Sequence, residues 1–256
     1  MAFERRYDGT EPQRVNKWLA QSGVCSRREA EGLIAEGLVS IDGERVDDAG
    51  RKILPGQLLV LADKAQRKLE SRMSILLHKP RGIVSAHPEP GQTPAVRLLT
   101  RDRLWNPPAP VPGADGKLAP VGRLDLESRG LLVLSEDGVL AKALIGPESV
   151  LDKEYWVFLM GEITEAKLAL LRHGLELDGR QLRPAEVALI ADQRLRIVLR
   201  EGRNRQIRRM CELVELKVVD LFRVRVGSLS LGDMPEGRWR HLTDDERSLL
   251  IGAGIE

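Results

Sequence analysis

The stretch GRLDLESRGLLVLSEDG, from Gly122 to Gly138, places an acid on a bend and follows it with an apolar run. Asp125 comes just after Arg123, and the run Leu131–Leu134 ends at Ser135 before a second turn. An apolar run of this length between turns is typical of a buried strand. The acid before it is either a solvated loop residue or a catalytic acid at the mouth of a cleft, and the rest of the chain has to distinguish the two.

Composition limits the class of protein. The chain has 256 residues, of which 42% are hydrophobic and 30% charged, enough for a full domain and a smaller one. The net charge of +2 says little about partners, whereas the placement of charge says more. Two distant cysteines and four scattered histidines predict neither a disulfide framework nor a metal site. With no apolar leader and no apolar segment approaching ~20 residues, we expect a cytoplasmic protein with no membrane contact.

The residues before position 73 predict a small α+β module. RVNKWLAQSG begins a helix at Arg14 that stops at Gly23, and Ser26 with Glu29 forms a capping box for a second helix. LVSIDGERV is typical of a hairpin that turns at Asp42–Gly43. The charged segment KAQRKLESR is the best domain boundary. We therefore predict a disordered leader at 1–12, the module at 13–63, a linker at 64–72 and a second domain at 73–252.

Strands and helices intermingle in the second domain without a regular βαβ order. SILLHKPRGIVSAH, KEYWVFLMGE and LRIVLREG predict strands, whereas GVLAKALIG, TEAKLALLRHGLEL and NRQIRRMCELV predict helices. The segment from Trp105 to Pro120 is rich in Pro, Gly and Ala and predicts a surface loop. This order predicts an α+β domain with a mixed, largely antiparallel sheet and flanking helices.

Basic residues on the first helix pair are candidates for phosphate contacts. Arg27 and Arg28 lie in the first turn of a helix, where positive charge opposes the helix dipole but free N–H groups attract anions. Arg14 and Lys17 lie on the preceding helix. The alternative is an ordinary solvated turn.

A second basic cluster spans Arg194 to Arg209, which contains seven arginines and one acid, Glu201. The planar guanidinium fork suits phosphate, so this density is typical of a polyphosphate contact. The alternative is a solvated helix face with an ion pair between Arg208 and Glu212. The last four arginines crowd a strand-to-helix junction; they are Arg203, Arg205, Arg208 and Arg209.

Arg208 adjoins the apolar stripe of its helix, so we expect it to be partly buried and to need an acidic partner. Asp125 is a candidate partner, since both residues lie at junctions next to strands. An arginine beside it would keep the aspartate ionised.

Tyr155 is one of two tyrosines and shares a strand face with Lys153 and Val157. Core packing is its alternative role.

The motifs together resemble a known family. RVNKWLAQSGVCSRREAEGLIAEGLVSIDGERV resembles an S-four-type RNA-binding module, named after a ribosomal protein of the small subunit. HKPRGIVS, GRLDLESRGLLVLSEDG, KEY and EGRNRQIRRMCE are similar, in order, to the motifs of bacterial pseudouridine synthases. The group is the one that contains the ribosomal small-subunit synthase A and the large-subunit synthases B, E and F, the F type above all. The resemblance covers about Arg14 to Leu250.

The resemblance implies a role for individual residues. Asp125 matches the essential aspartate, Tyr155 the active-site tyrosine, and Arg208 the arginine that pairs with the aspartate. The implied fold is a mixed sheet split by a cleft. The residues expected to contact RNA are Arg14, Lys17, Arg27, Arg28, Lys79, Arg123, Arg203, Arg205 and Arg209.

The resemblance implies that a monomeric enzyme converts a uridine of ribosomal RNA, the large subunit favoured, to pseudouridine. Transfer RNA is a further candidate substrate. The reaction needs no cofactor or metal, and the target base flips out of its RNA into the cleft. Attack on the sugar by Asp125 and a glycal route both stay open. Two other functions stay open as well: a non-catalytic RNA-binding factor, and a hydrolase or glycosylase that releases free uracil.

Overall fold

The computed structural model describes residues 3–105, 109–113, 117–173 and 175–254. The chain divides into two compact units. The N-terminal unit comprises the residues up to Met73 together with Ser135–Lys142. The second unit comprises Ser74–Leu134 and the residues from Ala143 onward; because it holds the predicted catalytic residues, we call it the catalytic unit. Within the described ranges, every helix is too short or too polar to cross a bilayer.

The N-terminal unit is built on a four-stranded sheet with strand order β1-β6-β3-β4. Strands β1 and β3 both pair antiparallel with β6, and β3 pairs antiparallel with β4. Strands β2 and β5 form a separate antiparallel pair. The elements are β1 (Phe3–Arg6), β2 (Gln13–Arg14), α1 (Val15–Gln21), α2 (Arg27–Ala35), β3 (Val39–Ile41), β4 (Glu44–Arg45), β5 (Lys52–Ile53), β6 (Leu58–Leu61) and α3 (Asp63–Glu70).

Local sequence signals explain much of this unit. The Ser26 hydroxyl accepts from the Glu29 N–H, and the Glu29 carboxylate accepts from the Ser26 N–H, so the predicted capping box is confirmed. Asp42 and Gly43 both have positive φ, 49° and 86°, as a two-residue hairpin turn requires. The predicted hairpin is therefore confirmed as well.

Two boundary predictions for this unit are wrong. Residues 1–12 are not a disordered leader where the structure describes them, because Phe3–Arg6 forms β1 and Tyr7 is buried in the core of the unit. Residues 64–72 are not a plain linker, because most of them belong to α3, whose Ala65 is fully buried in the same core. Strand β1 pairs with β6, and Ala65 packs in the core of the unit; local polarity reveals neither contact.

After Met73, the residues that the structure describes form a nine-stranded sheet, two separate short strand pairs and four further helices. Two short 3-10 helices, Ala95–Leu98 and Arg101–Arg103, follow β9. The elements are β7 (Ser74–Lys79), β8 (Ile83–Val84), β9 (Thr93–Pro94), β10 (Ala119–Val121), β11 (Ser128–Ser135), α4 (Gly138–Ile145), β12 (Lys153–Met160), α5 (Glu165–Arg172), β13 (Glu176–Leu177), β14 (Arg180–Gln181), β15 (Glu186–Ala191), β16 (Arg194–Leu199), α6 (Gln206–Leu213), β17 (Lys217–Val226), β18 (Leu229–Ser230), β19 (Trp239–His241) and α7 (Asp244–Gly254).

The strand order of this sheet is β15-β16-β12-β17-β11-β7-β19, with β10 beside β11 and β18 beside β17. The sheet is mixed, because its strands pair in both directions. Strand β17 pairs antiparallel with β12 and parallel with β11. Gly130 permits the parallel contact, since its φ is 113° and an added Cβ would lie 2.2 Å from the Arg223 carbonyl oxygen. The predicted mixed, largely antiparallel sheet with flanking helices is confirmed.

The catalytic unit has an apolar core between the sheet and two helices. Val157 and Ile197 of β12 and β16 face this core, where Leu171 of α5 and Met210 of α6 are fully buried. Part of the predicted surface loop from Trp105 to Pro120 lies outside the described residues, namely 106–108 and 114–116.

Candidate active site

A cleft of about 410 Å³ opens in the catalytic unit beside the turn before β11. Asp125 and Tyr155 both line it, so the structure brings together two of the three predicted catalytic residues. The cleft is rich in cations. Basic side chains on its wall are Arg123, Lys153, Arg183, Arg200, Arg203, Arg205 and Arg223.

Asp125 lies on a tight turn, where the Ser128 N–H donates to the Asp125 carbonyl at 3.0 Å. Its carboxylate is 34% exposed and faces the cleft. The nearest paired cation is Arg205, whose Nη1 lies 3.9 Å from Asp125 Oδ2. At that distance, and with both groups accessible to water, the ion pair holds the carboxylate only loosely.

Arg208 is buried, as predicted, but its predicted pairing with Asp125 is wrong. Its Nη2 donates to the Glu127 carbonyl at 3.3 Å and to the Ser128 hydroxyl at 3.5 Å. Its ion pair, at 3.8 Å, is with Glu127. The turn therefore presents its backbone to Arg208 and the Asp125 side chain to the cleft. Arg208 lines a second, more open depression next to α6 and not the cleft itself.

Tyr155 lies near the start of β12 and is half-buried against the core of the catalytic unit. Lys153 lines the cleft on the same strand. Burial lowers the pKa of Lys153, and the positive charge of Arg223 lowers it further. The predicted shared face of Lys153, Tyr155 and Val157 is confirmed, with the first two on the cleft and the third in the core.

Lys79 is not an RNA-contacting side chain, contrary to the prediction. It is fully buried, and its Nζ donates to the carbonyls of Pro80 and Ser128, both at 2.8 Å. Burial lowers its pKa to about 8, partly offset by the charge of Asp125. Lys79 is the last residue of β7, and its side chain points into the protein, towards the turn that carries Asp125.

The arginines near α6 differ in how free their guanidinium groups are. Arg203 donates to the carbonyls of Leu177, Arg180 and Gln181. Arg209 binds Asp178 with two hydrogen bonds of 2.9 and 2.7 Å. Both arginines thus hold the β13–β14 hairpin. Arg205 is exposed at the cleft, and among the described residues its guanidinium makes two long ion pairs, to Asp125 and Glu127, so it is freer to meet a ligand than Arg203 or Arg209.

The predicted RNA contacts of the N-terminal unit lie on its surface. Arg14, Lys17, Arg27 and Arg28 are all exposed, and Arg27 and Arg28 form the first turn of α2 as predicted. Arg123 is exposed at the cleft of the catalytic unit. Their contact with RNA stays a prediction.

Four cleft cations are absent from the set predicted from sequence. Arg183 and Arg200 are exposed at the rim, whereas Lys153 and Arg223 lie deeper. Arg223 is buried and donates from Nε to the Leu131 carbonyl at 2.7 Å. Arg200 falls within the basic run from Arg194 to Arg209, so its signal is present in the sequence. Lys153 and Arg223 lie on the paired strands β12 and β17, and Arg183 lies between β14 and β15, so their positions at the cleft depend on how distant parts of the chain fold together.

The described residues include no group of metal ligands and no disulfide bond. No three His, Cys, Asp or Glu side chains there converge as ligands. Cys25 and Cys211 are free and buried, and burial raises the pKa of each thiol to about 12.

Comparison with known proteins gives a consistent result. The family description RNA pseudouridylate synthase matches residues 73–213, and the S4 domain matches residues 13–59. The chain is 32% identical to an uncharacterized RNA pseudouridine synthase of Aquifex aeolicus (strain VF5), and the match covers 94% of this chain and 94% of that protein.

Two further relatives and a solved structure agree with this match. Identity is 34% to the dual-specificity RNA pseudouridine synthase RluF of Escherichia coli (strain K12), covering 91% of this chain and 76% of that protein. It is also 34% to the ribosomal large subunit pseudouridine synthase B of Bacillus subtilis (strain 168), covering 91% and 93%. A crystal structure of a pseudouridylate synthase superposes with a TM-score of 0.64 and 26% identity, covering 93% of this chain and 99% of that one.

Proposed function

The chain belongs to the RNA pseudouridylate synthase family, and we propose that it isomerises a specific uridine of large-subunit ribosomal RNA to pseudouridine. The observation that carries the proposal is one cleft lined by Asp125, Tyr155 and many cations. The names of the relatives from Escherichia coli and Bacillus subtilis support RNA, and ribosomal RNA in the second case, as the substrate class.

The reaction rearranges bonds within one nucleotide. The bond from uracil nitrogen 1 to sugar carbon 1′ breaks, the base turns, a bond forms from uracil carbon 5 to the same sugar carbon, and the proton on carbon 5 leaves for nitrogen 1. Because atoms and oxidation states balance within the nucleotide, the isomerisation itself calls for no cofactor.

Asp125 is the proposed group that acts on the sugar. Its carboxylate is accessible from the cleft and is not tied into a short ion pair. It can attack carbon 1′ to form a covalent intermediate, or remove the proton from carbon 2′ to give a glycal. Both routes use the ionised aspartate, and both return it ionised at the end of the cycle.

Tyr155 is the proposed partner of the base. A half-buried aromatic ring beside the cleft can stack on a uracil that has left its helix, and its hydroxyl can relay the proton from carbon 5. A phenol hydroxyl can both donate and accept a hydrogen bond, which suits a proton relay.

Substrate RNA must deliver one unstacked nucleotide to the cleft. Exposed cations at the rim, Arg123, Arg183, Arg200 and Arg205, are proposed to hold the phosphates on either side of the flipped base. The S4 domain, with Arg14, Lys17, Arg27 and Arg28, is proposed to bind the backbone of a neighbouring RNA stem. We further propose that the enzyme acts as a cytoplasmic monomer, with transfer RNA as a second substrate class.

Chemical mapping of pseudouridine in ribosomal and transfer RNA, from cells with and without the gene, tests the function. We expect at least one large-subunit uridine to lose its modification in the deletion strain and to regain it with the wild-type gene. Purified enzyme should produce the same modification on a matching transcript. Free uracil as product would instead indicate a glycosylase, and tight binding with no product a non-catalytic RNA-binding factor.

A further inference from the structure

A single segment at the end of β7 holds the backbone on both sides of Asp125. The Lys79 Nζ donates to the Ser128 carbonyl at 2.8 Å, and the Gly82 N–H donates to the Leu126 carbonyl at 2.8 Å. The Ser85 hydroxyl makes two bonds to the backbone of Leu124. We call residues 79–85 the brace. It contacts the chain one residue before Asp125, one residue after it and three residues after it.

Ser85 makes the most complete of these contacts. Its Oγ donates to the Leu124 carbonyl at 2.7 Å and accepts from the Leu124 N–H at 2.9 Å. Both residues are buried, so water cannot readily replace either bond. The hydroxyl thus satisfies the donor and the acceptor of the peptide units next to Asp125 and fixes the direction in which the chain enters the turn.

The Asp125 side chain has little else to fix it. Its ion pair with Arg205 spans 3.9 Å and lies in water-accessible surroundings. A catalytic carboxylate must be held within a fraction of an ångström of its productive position, and rigid backbone support is one way to achieve this. On these grounds, we propose that Ser85 is a positioning residue that orients Asp125 for attack through the backbone of Leu124. The inference rests on the proposed function of Asp125.

Ser85→Ala removes both bonds and leaves the Leu124 N–H and carbonyl unpaired. With the rest of the brace intact, we expect the turn to remain but Asp125 to sample more positions. The expected result is a kcat about 10- to 100-fold lower with KM and the RNA dissociation constant within about threefold of wild type. Ser85→Thr keeps the hydroxyl and should recover most of kcat.

Ser135→Ala is the matched control. Ser135 is as buried as Ser85, and its hydroxyl also accepts from a backbone N–H, that of Asp137 at 2.9 Å. It lies at the other end of β11, away from the turn of Asp125. We expect the kcat of Ser135→Ala to equal that of the wild-type enzyme when both proteins are assayed well below their melting temperatures.

If Ser85→Ala does not fold, Ser85→Cys, which is close in shape but a weaker hydrogen-bonding group, replaces it in the same assay. A folded Ser85 variant with a kcat within threefold of wild type would overturn the inference, as would an equal loss in Ser135→Ala. A wild-type enzyme that yields no pseudouridine on any ribosomal transcript, with Asp125→Asn as blank, would instead sink the proposed function.

Discussion

At the scale of single residues, Asp125 is the group on which the chemistry is expected to depend. Asp125→Asn keeps the size of the side chain but removes the charge that attacks the sugar or takes its proton. We expect turnover to fall at least about 1000-fold, while RNA affinity stays within about tenfold, because the carboxylate does not hold phosphates. Single-turnover assays and filter binding measure the two quantities. Substantial turnover by the variant would remove Asp125 from the mechanism.

Arg208 and Arg205 have separate tasks in this structure. Arg208→Ala leaves the Glu127 carbonyl without its buried donor, so we expect a lower kcat and a lower melting temperature that raising the pH does not restore. Arg205→Ala should mainly weaken RNA binding, because its guanidinium is exposed at the cleft. Steady-state kinetics from pH 6 to 9 distinguish them. Recovery of Arg208→Ala at high pH would indicate a direct pairing with Asp125 after all.

Lys79 should make stability depend on pH in a definite direction. Its folded-state pKa of about 8 is below its ordinary 10.5, because burial disfavours the charged form. Between these values the unfolded chain binds the proton more strongly than the folded protein, so stability contributed by this group rises with pH and is lowest below about pH 8.

The comparison variant is Lys79→Met, which lacks the titrating amine. The unfolding free energy of wild type minus that of the variant should stay constant below about pH 7 and rise by at most about 3 kcal/mol between pH 8 and 10.5. Urea denaturation at a series of pH values measures it. A difference that does not change with pH would show that the lysine titrates normally when folded.

At the scale of elements, the contact between β11 and β17 depends on Gly130. Its φ of 113° is a conformation that other residues rarely adopt, and a Cβ would lie 2.2 Å from the Arg223 carbonyl oxygen. Gly130→Ala should therefore separate the two strands and destabilise the protein by about 2–4 kcal/mol. Gly179→Ala is a useful control, because its φ is also positive but nothing lies within 4 Å of its added Cβ. Equal melting temperatures for the two variants would contradict the steric argument.

Elements whose cause is local follow from the sequence. The capping box at Ser26 and the turn at Asp42–Gly43 are predictable because neighbouring residues supply the hydrogen bonds and the backbone freedom. Strand β1 is not predictable in this way, since Phe3–Arg6 finds its partner only in β6, far along the chain. The helix of residues 63–70 is missed for a similar reason, because its mostly charged sequence is anchored to the core by Ala65 and the partly buried Leu69.

The candidate site shows the same division. Asp125 and Tyr155 are found through motifs, and the cleft brings them together. What sequence cannot supply is the direction of side chains across elements. For this reason the sequence does not predict that Arg208 contacts the backbone of Glu127 instead of the Asp125 side chain. It likewise does not predict that Lys79 points into the protein instead of towards RNA.

At the scale of the whole molecule, the N-terminal unit extends beyond the S4 match at residues 13–59. It includes α3 and also Ser135–Lys142 from the middle of the chain. Within this unit, Arg72 pairs with Asp137 at 3.1 Å and with Glu29 at 2.8 Å. A deletion of residues 1–70 keeps Arg72 and Asp137 but removes Glu29. We therefore expect the truncated enzyme to fold with a lower melting temperature than the full chain.

The truncation also tests what the N-terminal unit contributes to RNA binding. Each arginine–phosphate contact releases counterions, so log affinity should fall by roughly one unit per log unit of salt for each contact. Without residues 1–70 the enzyme should bind more weakly and with a shallower salt slope, yet retain turnover on a short hairpin at high concentration. The full-length Arg27→Ala, Arg28→Ala double variant should show part of that loss, because both side chains are exposed in the first turn of α2.

Glu44→Ala and Arg51→Ala together serve as a control for that double variant. They remove an exposed ion pair of 3.7 Å in the same unit and leave its net charge unchanged, so we expect the salt slope to stay as in wild type. Titrations of a labelled transcript between 50 and 300 mM KCl measure affinity and slope for all four proteins. If full-length and truncated enzymes share one affinity and one slope, the N-terminal unit does not touch this RNA. Arg27 and Arg28 are then ordinary solvated residues at the start of a helix.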